Sequence, residues 1–177
     1  FGSGNYVGPS NTQHKTYKPR VKPEQPAIRE AVELLVNAKK PIFYTGGGVI
    51  NSGPKASQLL RELARLSGYP VTSTLMGLGA FPASDKQWLG MLGMHGTYEA
   101  NMAMHGCDVL VSVGARFDDR VTGRVNSFAS RAKIIHIDID PTSISKNVVV
   151  DVPIVADCTQ GLEGLLEEVA RIKDVDW

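Results

Sequence analysis

The stretch VLVSVGARFDDRVTG, residues 109–123, is the most informative part of the chain, because it predicts a strand that runs into a charged loop. Apolar residues occupy both alternating faces of the strand, which is typical of a parallel strand covered by helices on both sides. Gly114 permits a turn or a close ligand approach where the strand ends. Ligands of open α/β sheets collect at this carboxyl edge. The stretch therefore predicts an α/β fold with a binding loop at the edge of its sheet.

The charges of this loop allow two interpretations. Arg116 and Arg120 can hold a pyrophosphate through planar, bidentate donors. Asp118 or Asp119 can orient an arginine, or accept a hydrogen bond from a ribose or adenine group. In the other interpretation the loop is a solvated surface turn whose opposite charges pair with each other, an arrangement that is common and stabilises little.

Composition favours one domain without a charged partner. A chain of 177 residues with 42% hydrophobic residues is long enough for one proper core. Nineteen Lys and Arg against 18 Asp and Glu leave a net charge of +1, which gives no argument for nucleic acid or a membrane surface. Cys107 and Cys158 form no CxxC pattern, so we expect no zinc site, no disulfide framework and a reducing compartment. Neither an apolar span nor a secretory signal is evident.

The amino-terminal region differs from the rest of the chain. Residues 1–25 carry repeated Gly, Pro, Lys and Arg residues without helical or strand periodicity, which predicts an extended linker beside a neighbouring domain. The chain starts at Phe1 rather than Met, so we expect a piece of a larger protein. Residues 26–177 form the predicted domain.

Helices and strands alternate through that domain. Pro26 suits the first turn of a helix with an apolar stripe, and Asn51 or Ser52 is expected to cap the next helix, which Gly68 ends. Thr97 is expected to cap a short helix that runs to His105. The stripes are Ile28, Ala31, Val32 and Leu35; then Ala56, Leu59, Leu60 and Leu63; and finally Leu162, Leu165, Leu166 and Val169. Strands are predicted over residues 41–45, 70–73, 109–113, 133–139 and 152–156. This alternation predicts a doubly wound parallel sheet with helices on both faces.

Two further segments suit a nucleotide. Gly46, Gly47 and Gly48 follow a predicted strand, where backbone N–H groups can approach a phosphate, although a merely tight turn is the alternative. The segment lacks the GxGxxG pattern of nicotinamide enzymes. Asp138 ends a β-branched strand and can accept from ribose or adenine groups, unless it caps a helix, a role that suits Asp140 better.

Catalytic patterns are absent from the sequence. It has no GxSxG, HExxH or Walker A segment, and its His and Cys residues show no metal-ligand spacing. The methionines, Met76 and Met94 among them, suit core filling or a soft wall against an aromatic ring. The residues alone therefore predict a nucleotide-binding domain and no metal site.

Six blocks in order resemble the central domain of the catalytic subunit of acetohydroxyacid synthases, also called acetolactate synthases, which are thiamine diphosphate enzymes of branched-chain amino-acid biosynthesis. The blocks are TYKP (16–19), GGGVI (46–50), TLMGLG (74–79), LGMHG (92–96), GARFDDRVTG (114–123) and HIDID (136–140). Each block is short, but their ordered combination spans nearly the whole chain.

The resemblance implies a Rossmann-like, six-stranded parallel sheet that binds FAD, with the flavin taking no net redox part in the main reaction. It also implies that Arg116 helps to neutralise the diphosphate and that Asp138 recognises the adenosine end. Met94, Asp119 and Arg120 are similar to positions at the mouth of the substrate channel, where inhibitors bind. The residues implied around FAD are Gly46, Gly47, Gly48, Thr74, Leu75, Met94, His95, Gly114, Arg116, Asp118, Arg120, Val121, Asp138 and Ile139.

The same resemblance implies a parent enzyme that condenses two pyruvates to 2-acetolactate, or pyruvate with 2-ketobutyrate, on thiamine diphosphate with Mg²⁺. The chain has no GDG segment with a distant Asn to hold those cofactors, so we expect no catalytic residue here and an inactive fragment. The implied partners are other domains of the polypeptide, further copies in a dimer or tetramer, and a small regulatory subunit. The implied location is cytoplasmic in a bacterium or organellar in a eukaryote.

Two alternatives differ in ligand. One is a non-catalytic central domain of another thiamine diphosphate enzyme that binds ADP or serves only as structure. The other is an NAD-dependent enzyme on a similar sheet, against which the missing GxGxxG pattern counts.

Overall fold

The structure, a computed structural model, describes residues 4, 5, 19, 21–172 and 177. Most of the predicted linker lies outside these residues. The strands are β1 (Pro41–Thr45), β2 (Val71–Ser73), β3 (Trp88–Met91), β4 (Val109–Val113), β5 (Lys133–Asp138) and β6 (Val152–Val155). The helices are α1 (Gln25–Asn37), α2 (Gly47–Asn51), α3 (Pro54–Ser67), α4 (Tyr98–Gly106), α5 (Asp119–Thr122) and α6 (Cys158–Val169), with short 3₁₀ helices at Leu75–Gly77 and Val125–Ser127.

The strands of the described chain form one six-stranded sheet in the order β3-β2-β1-β4-β5-β6. Every neighbouring pair is parallel, which confirms the predicted doubly wound α/β class. The chain winds outward in one direction from β1 to β3 and in the other from β4 to β6. The crevice of such a sheet lies at this reversal, between β1 and β4.

The two central strands are buried along their whole length. Burial on both faces explains why they consist almost entirely of apolar and β-branched residues. Tyr44 of β1 pairs with Ser112 of β4, and Ser112 pairs with His136 of β5, so these three side chains share one face of the sheet.

The two faces of the sheet are covered unequally. One carries the larger apolar cluster, in which α1, α3 and α6 pack on the sheet through side chains such as Leu35, Leu60 and Leu165. The other carries a smaller cluster, which α4 and the loops after β4 and β5 cover. Both faces are therefore closed, but only one has a layer of mutually packed helices within the described chain.

The helix predictions are confirmed for most stripe residues, are wrong for Leu59 and Leu166, which are only half-buried, and are corrected at one cap. Ile28, Ala31, Val32 and Leu35 are buried as predicted, and Gly68 ends α3 with a left-handed φ of 73°. The residue that caps α3 is Gly53 rather than Asn51 or Ser52, because the glycine turn first forms the separate helix α2, which Ser52 terminates. Among the described helices, none combines the length and apolar character that a membrane crossing requires.

Strand β3 was missed by the sequence reasoning. Its residues are all half-buried, so the segment shows neither the alternation of a one-sided strand nor the apolar run of a buried one. Gly90 adopts a φ of +89°, and the register between β2 and β3 shifts. An edge strand with an irregular backbone leaves little periodicity to detect.

Candidate functional site

A cleft of about 780 Å³ opens at the carboxyl edge of the sheet, at the reversal between β1 and β4. This volume lies within the roughly 300–1,000 Å³ of small-molecule and cofactor sites. The residues that line it come from the ends of β1, β2, β4 and β5: Gly47, Gly48, Asn51, Thr74, Leu75, Met76, Gly114, Ala115, Arg116, Asp118, Asp119, Arg120, Val121, Asp138, Ile139 and Asn147.

The floor of the cleft is formed where the turns after β1 and β4 touch through their backbones. A Cβ on Gly48 would lie 2.6 Å from the Cα of Gly114, and one on Gly46 would collide with Gly114 and Ala115. Gly114 also has a φ of +59°, which favours glycine. The glycines at 46 and 48 are thus required by contact between the turns, whereas Gly47 faces Met76 across the cleft edge.

One wall of the cleft is apolar. Thr74 ends β2 and caps the following 3₁₀ turn, since its Oγ1 accepts a hydrogen bond from the N–H of Gly77 at 3.1 Å. That turn carries Leu75 and Met76, which are 68% and 74% exposed. Exposed apolar side chains rimmed by polar groups are typical of a ligand-binding groove.

The charged loop after β4 forms the opposite wall. Arg116 lies 3.1 Å from an Asp118 carboxylate oxygen, and Arg120 lies 3.4 Å from one of Asp119. The pairing expected for a self-neutralised loop is therefore present, and its side chains are largely exposed. Exposed ion pairs contribute little, so these guanidinium groups can exchange a carboxylate for a phosphate at small cost.

Tyr44 of β1 is hydrogen-bonded to the backbone of this loop. Its hydroxyl donates a hydrogen bond to the carbonyl oxygen of Arg116 at 2.9 Å. Burial raises the pKa of Tyr44 far above its ordinary value, and the nearby negative charge of Asp118 raises it further. The phenol therefore stays protonated and acts as a donor.

Asp138 lies at the end of β5 and lines the cleft. One of its carboxylate oxygens accepts from the N–H of Asp140 at 2.8 Å. Asp140 in turn accepts from the backbone and the hydroxyl of Thr142, so both carboxylates hold a turn, and neither caps a helix. Asp138 remains at the cleft, in the place expected for contact with a ribose or adenine group.

Three predicted site residues lie outside the lining. Gly46 is packed under it, and Met94 and His95 are exposed on the segment beside α5. The N–H of Met94 donates to the carbonyl of Arg120 at 3.0 Å, which fixes that segment next to the cleft. All other predicted cofactor residues, and Asp119 of the channel set, line the cleft.

Sequence reasoning did not assign Asn51, Ala115 or Asn147 to the site. Asn51 was expected to cap α3, and Asn147 lies in a region without a periodic pattern. Within the described residues, no group of three or more His, Cys, Asp or Glu side chains is placed to hold a metal ion.

Comparison with known proteins identifies relatives of this chain by sequence. Residues 28–165 match the family described as "Thiamine pyrophosphate enzyme, central domain". The chain is 48% identical over 171 residues to the acetolactate synthase large subunit of Buchnera aphidicola subsp. Schizaphis graminum, covering 97% of this chain and 30% of that protein. It is 51% identical over 166 residues to the acetolactate synthase isozyme 3 large subunit of Escherichia coli, covering 94% and 29%. An acetolactate synthase of Mycobacterium bovis is 51% identical over 156 residues, covering 88% and 25%. The chain therefore spans under a third of the length of these relatives.

Proposed function

This chain belongs to the central domains of thiamine pyrophosphate enzymes, and we propose that it is the FAD-binding central domain of an acetolactate synthase catalytic subunit. The observation that carries the proposal is the cleft at the carboxyl edge between β1 and β4. It gathers arginines, a carboxylate at the end of a strand and an apolar wall within one site.

The residues of the cleft suit FAD, which combines two flat ring systems with a diphosphate. Arg116 supplies planar donors for the diphosphate, and Asp138 supplies acceptors for the hydroxyls of the adenosine end. Leu75, Met76 and Ile139 supply apolar contact for rings. When bound, FAD fills the cleft as a structural cofactor, and the resemblance implies no net redox role for it in the main reaction.

The remaining site residues are proposed on the resemblance. Gly46, Gly47, Gly48 and Gly114 bring two turns together under the cofactor. Met94, Asp119 and Arg120 are proposed to border the substrate channel, and His95 to lie near the flavin. The exposed position of Met94 and His95 beside Arg120 is compatible with a ligand that extends past the edge of the cleft.

The reaction proposed for the whole protein is the condensation of two pyruvates to 2-acetolactate, or of pyruvate with 2-ketobutyrate. Thiamine diphosphate and Mg²⁺ supply the carbanion chemistry, and other domains of the polypeptide bind them. We expect the 177-residue chain alone to form no acetolactate. A dimer or tetramer, a small regulatory subunit and a bacterial cytoplasmic location are part of the same proposal, supported by bacterial relatives named as large subunits.

Titration of the chain with FAD tests the proposal. A ligand that binds the folded state alone stabilises it by about 2.7 kcal/mol at a hundredfold excess over Kd. We expect a rise of the melting temperature with FAD and quenching of flavin fluorescence, and a smaller rise with ADP at equal concentration. Equal effects of ADP and FAD would favour an ADP-binding central domain, and no effect of FAD would contradict the proposal.

A further inference from the structure

We propose that Tyr44, Ser112 and His136 are positioning residues. They hold the carbonyl oxygens of the loop after β4 away from the cleft, so that the loop presents Arg116 to an anion. We call these three side chains the polar row. The inference deepens the proposed function, because it assigns a means by which the diphosphate site is kept ready.

The polar row crosses the centre of the sheet. Tyr44, Ser112 and His136 are register partners on β1, β4 and β5 and lie side by side on one face. Each is 0% exposed. Their surroundings are the apolar side chains of the smaller cluster, including Ile42, Leu110 and Ile134. Buried polar groups in such a setting destabilise a fold unless they find hydrogen-bond partners.

The partners of the polar row are two consecutive carbonyls of the loop. Tyr44 donates from its hydroxyl to the carbonyl of Arg116 at 2.9 Å. Ser112 Oγ donates to the carbonyl of Ala115 at 3.1 Å, and His136 Nε2 lies 2.9 Å from the same oxygen.

Neighbouring carbonyls are occupied in the same way from the two ends of the loop. The N–H of Gly48 donates to the carbonyl of Gly114 at 2.9 Å, and Asn147 Nδ2 donates to that of Phe117 at 2.7 Å. Four successive carbonyl oxygens, those of residues 114–117, are thus each paired with a donor of the protein. These donors hold the four carbonyl oxygens, whose partial negative charges would otherwise repel a phosphate.

The tautomer of His136 follows from its contacts. Nε2 faces two acceptors, the carbonyl of Ala115 and an Asp138 carboxylate oxygen at 3.7 Å, so Nε2 carries the proton. Nδ1 has no hydrogen-bond partner among the described residues although it is buried. An apolar side chain here would avoid that unfavourable burial. The hydrogen bond to the carbonyl of Ala115 therefore explains a histidine at this position better than the stability of the core does.

A loop that is already held in place lowers the conformational entropy cost of binding. A loop fixed in its bound conformation loses less conformational freedom when a ligand arrives. Phe117 lies between Arg116 and Asp118 in the loop and packs edge to face on the His136 ring, with centroids 5.2 Å apart, which adds an apolar contact that fixes the loop. The row thus acts through Arg116 and does not itself touch the ligand.

The test compares two tyrosines that lose the same atom. Tyr44→Phe removes the hydroxyl that binds the loop, and Tyr69→Phe removes a hydroxyl that donates to the carbonyl of Leu35 at 2.7 Å, far from the cleft. We expect Tyr44→Phe to weaken FAD binding by about tenfold, as loss of one buried hydrogen bond can do, and Tyr69→Phe to leave it unchanged. Ser112→Ala and Ser67→Ala form a second pair, since Ser67 donates to the carbonyl of Leu63 inside α3.

Amide hydrogen exchange provides a readout without any ligand. In the FAD-free chain, Tyr44→Phe is expected to speed exchange of the hydrogen-bonded amides of Gly114 and residues 121–123, which flank the held carbonyls, while Tyr69→Phe leaves those amides unchanged. If wild type fails to bind FAD, the proposed function is contradicted, and the exchange comparison still decides the role of the row. Equal exchange of Gly114 and residues 121–123 in the two variants would overturn the positioning role.

Substitution of His136 separates a donor from a filler. His136→Gln keeps an amide donor near the position of Nε2, whereas His136→Leu keeps only bulk. We expect His136→Gln to keep slow exchange of Gly114 and residues 121–123 and His136→Leu to lose it. Similar exchange in both folded variants would contradict the role given to Nε2. Should His136→Leu not fold, Tyr44→Phe with its control still gives the decision.

Discussion

The Arg116 side chain is paired with Asp118 in the structure, yet the proposed function requires it for a phosphate. Both side chains are at least half exposed, so water screens their attraction. A diphosphate offers pairs of oxygens for the same bidentate contact and carries more negative charge. Under the proposed function, Asp118 orients the guanidinium in the free cleft and is replaced by the anion as its partner.

Replacement of Arg116 tests this exchange. We expect Arg116→Ala to weaken FAD binding roughly 10- to 100-fold, because a hydrogen bond to a charged group contributes about 1.5–3 kcal/mol. The free energy of unfolding should change by no more than about 0.5 kcal/mol, since the side chain is exposed. Fluorescence titration and urea unfolding measure the two quantities. Arg65→Ala, which removes another exposed arginine, paired at 3.3 Å with the more buried Asp85 and remote from the cleft, is the control for FAD affinity. An unchanged FAD affinity in Arg116→Ala would exclude it from the site.

Leu63 gives the matching case for the core. It is 0% exposed in α3, and Leu66 on the same helix is 48% exposed. We expect Leu63→Ala to lower the free energy of unfolding by about 2–5 kcal/mol and Leu66→Ala to change it by about 0.5 kcal/mol or less. Urea unfolding of both variants measures the difference. Equal losses would mean that the apolar stripe of α3 is not what anchors it.

At the scale of elements, the turns after β1 and β4 form one unit. Each approaches the other so closely that a methyl group on Gly48 would enter the backbone of Gly114. Whatever shifts one turn must shift the other. Gly46 and Gly48 thus set the distance between the two central loops of the cleft, a role that differs from direct approach to a phosphate.

A methyl group at Gly48 should separate these turns. We expect Gly48→Ala to lower the free energy of unfolding by about 1–3 kcal/mol, as overpacking does, and to weaken FAD binding. Gly106, at the end of α4, has no atom within 4 Å of an added Cβ. Gly106→Ala should therefore leave stability unchanged or raise it by up to about 1 kcal/mol, because Ala suits a helix better. Thermal unfolding of both variants gives the comparison, and tolerance of Ala at position 48 would refute the close contact.

The elements also show how far the sequence could lead. The buried strands β1 and β4 and the stripes of α1, α3 and α6 were predicted because burial repeats along them. Strand β3 was not, since its pairing with β2 depends on tertiary contact and not on pattern. The same holds for the site: residues directly after strands, such as Arg116 and Asp138, were predicted, whereas Asn147 reaches the cleft through a loop path that no local signal encodes.

At the scale of the whole molecule, burial of ionisable groups sets the response to alkaline pH. Burial, together with the smaller effect of the Asp108 charge, raises the pKa of the Cys107 thiol from 9.0 to about 12. Burial likewise raises the pKa of Cys158 to about 12. Both thiols are free, so both titrate. The folded chain keeps these protons over a range in which the unfolded chain has lost them.

Stability should therefore fall between about pH 9 and pH 12. Below pH 9 both states hold the protons and the contribution is complete; above it, each thiol lowers the free energy of unfolding by up to about 1.4 kcal/mol per pH unit. Tyr44, whose pKa is also raised, adds to the loss above pH 10. Urea unfolding at pH 8 and pH 10 measures the slope, and the double variant Cys107→Ala with Cys158→Ala should show a shallower one. A slope that is the same in both proteins would rule out the thiols as its source.

The unequal covering of the sheet gives the molecule two different ways to fail. The face covered by α1, α3 and α6 is held by helices that pack on one another. The face that carries the polar row is covered by α4 and loops. Local opening starts where contacts are fewest. Because α4 shares the smaller cluster with Ala115 and Phe117 of the charged loop, opening of α4 would loosen that loop while α1, α3 and α6 stay packed. The proposed FAD site would then be lost before the larger cluster unfolds.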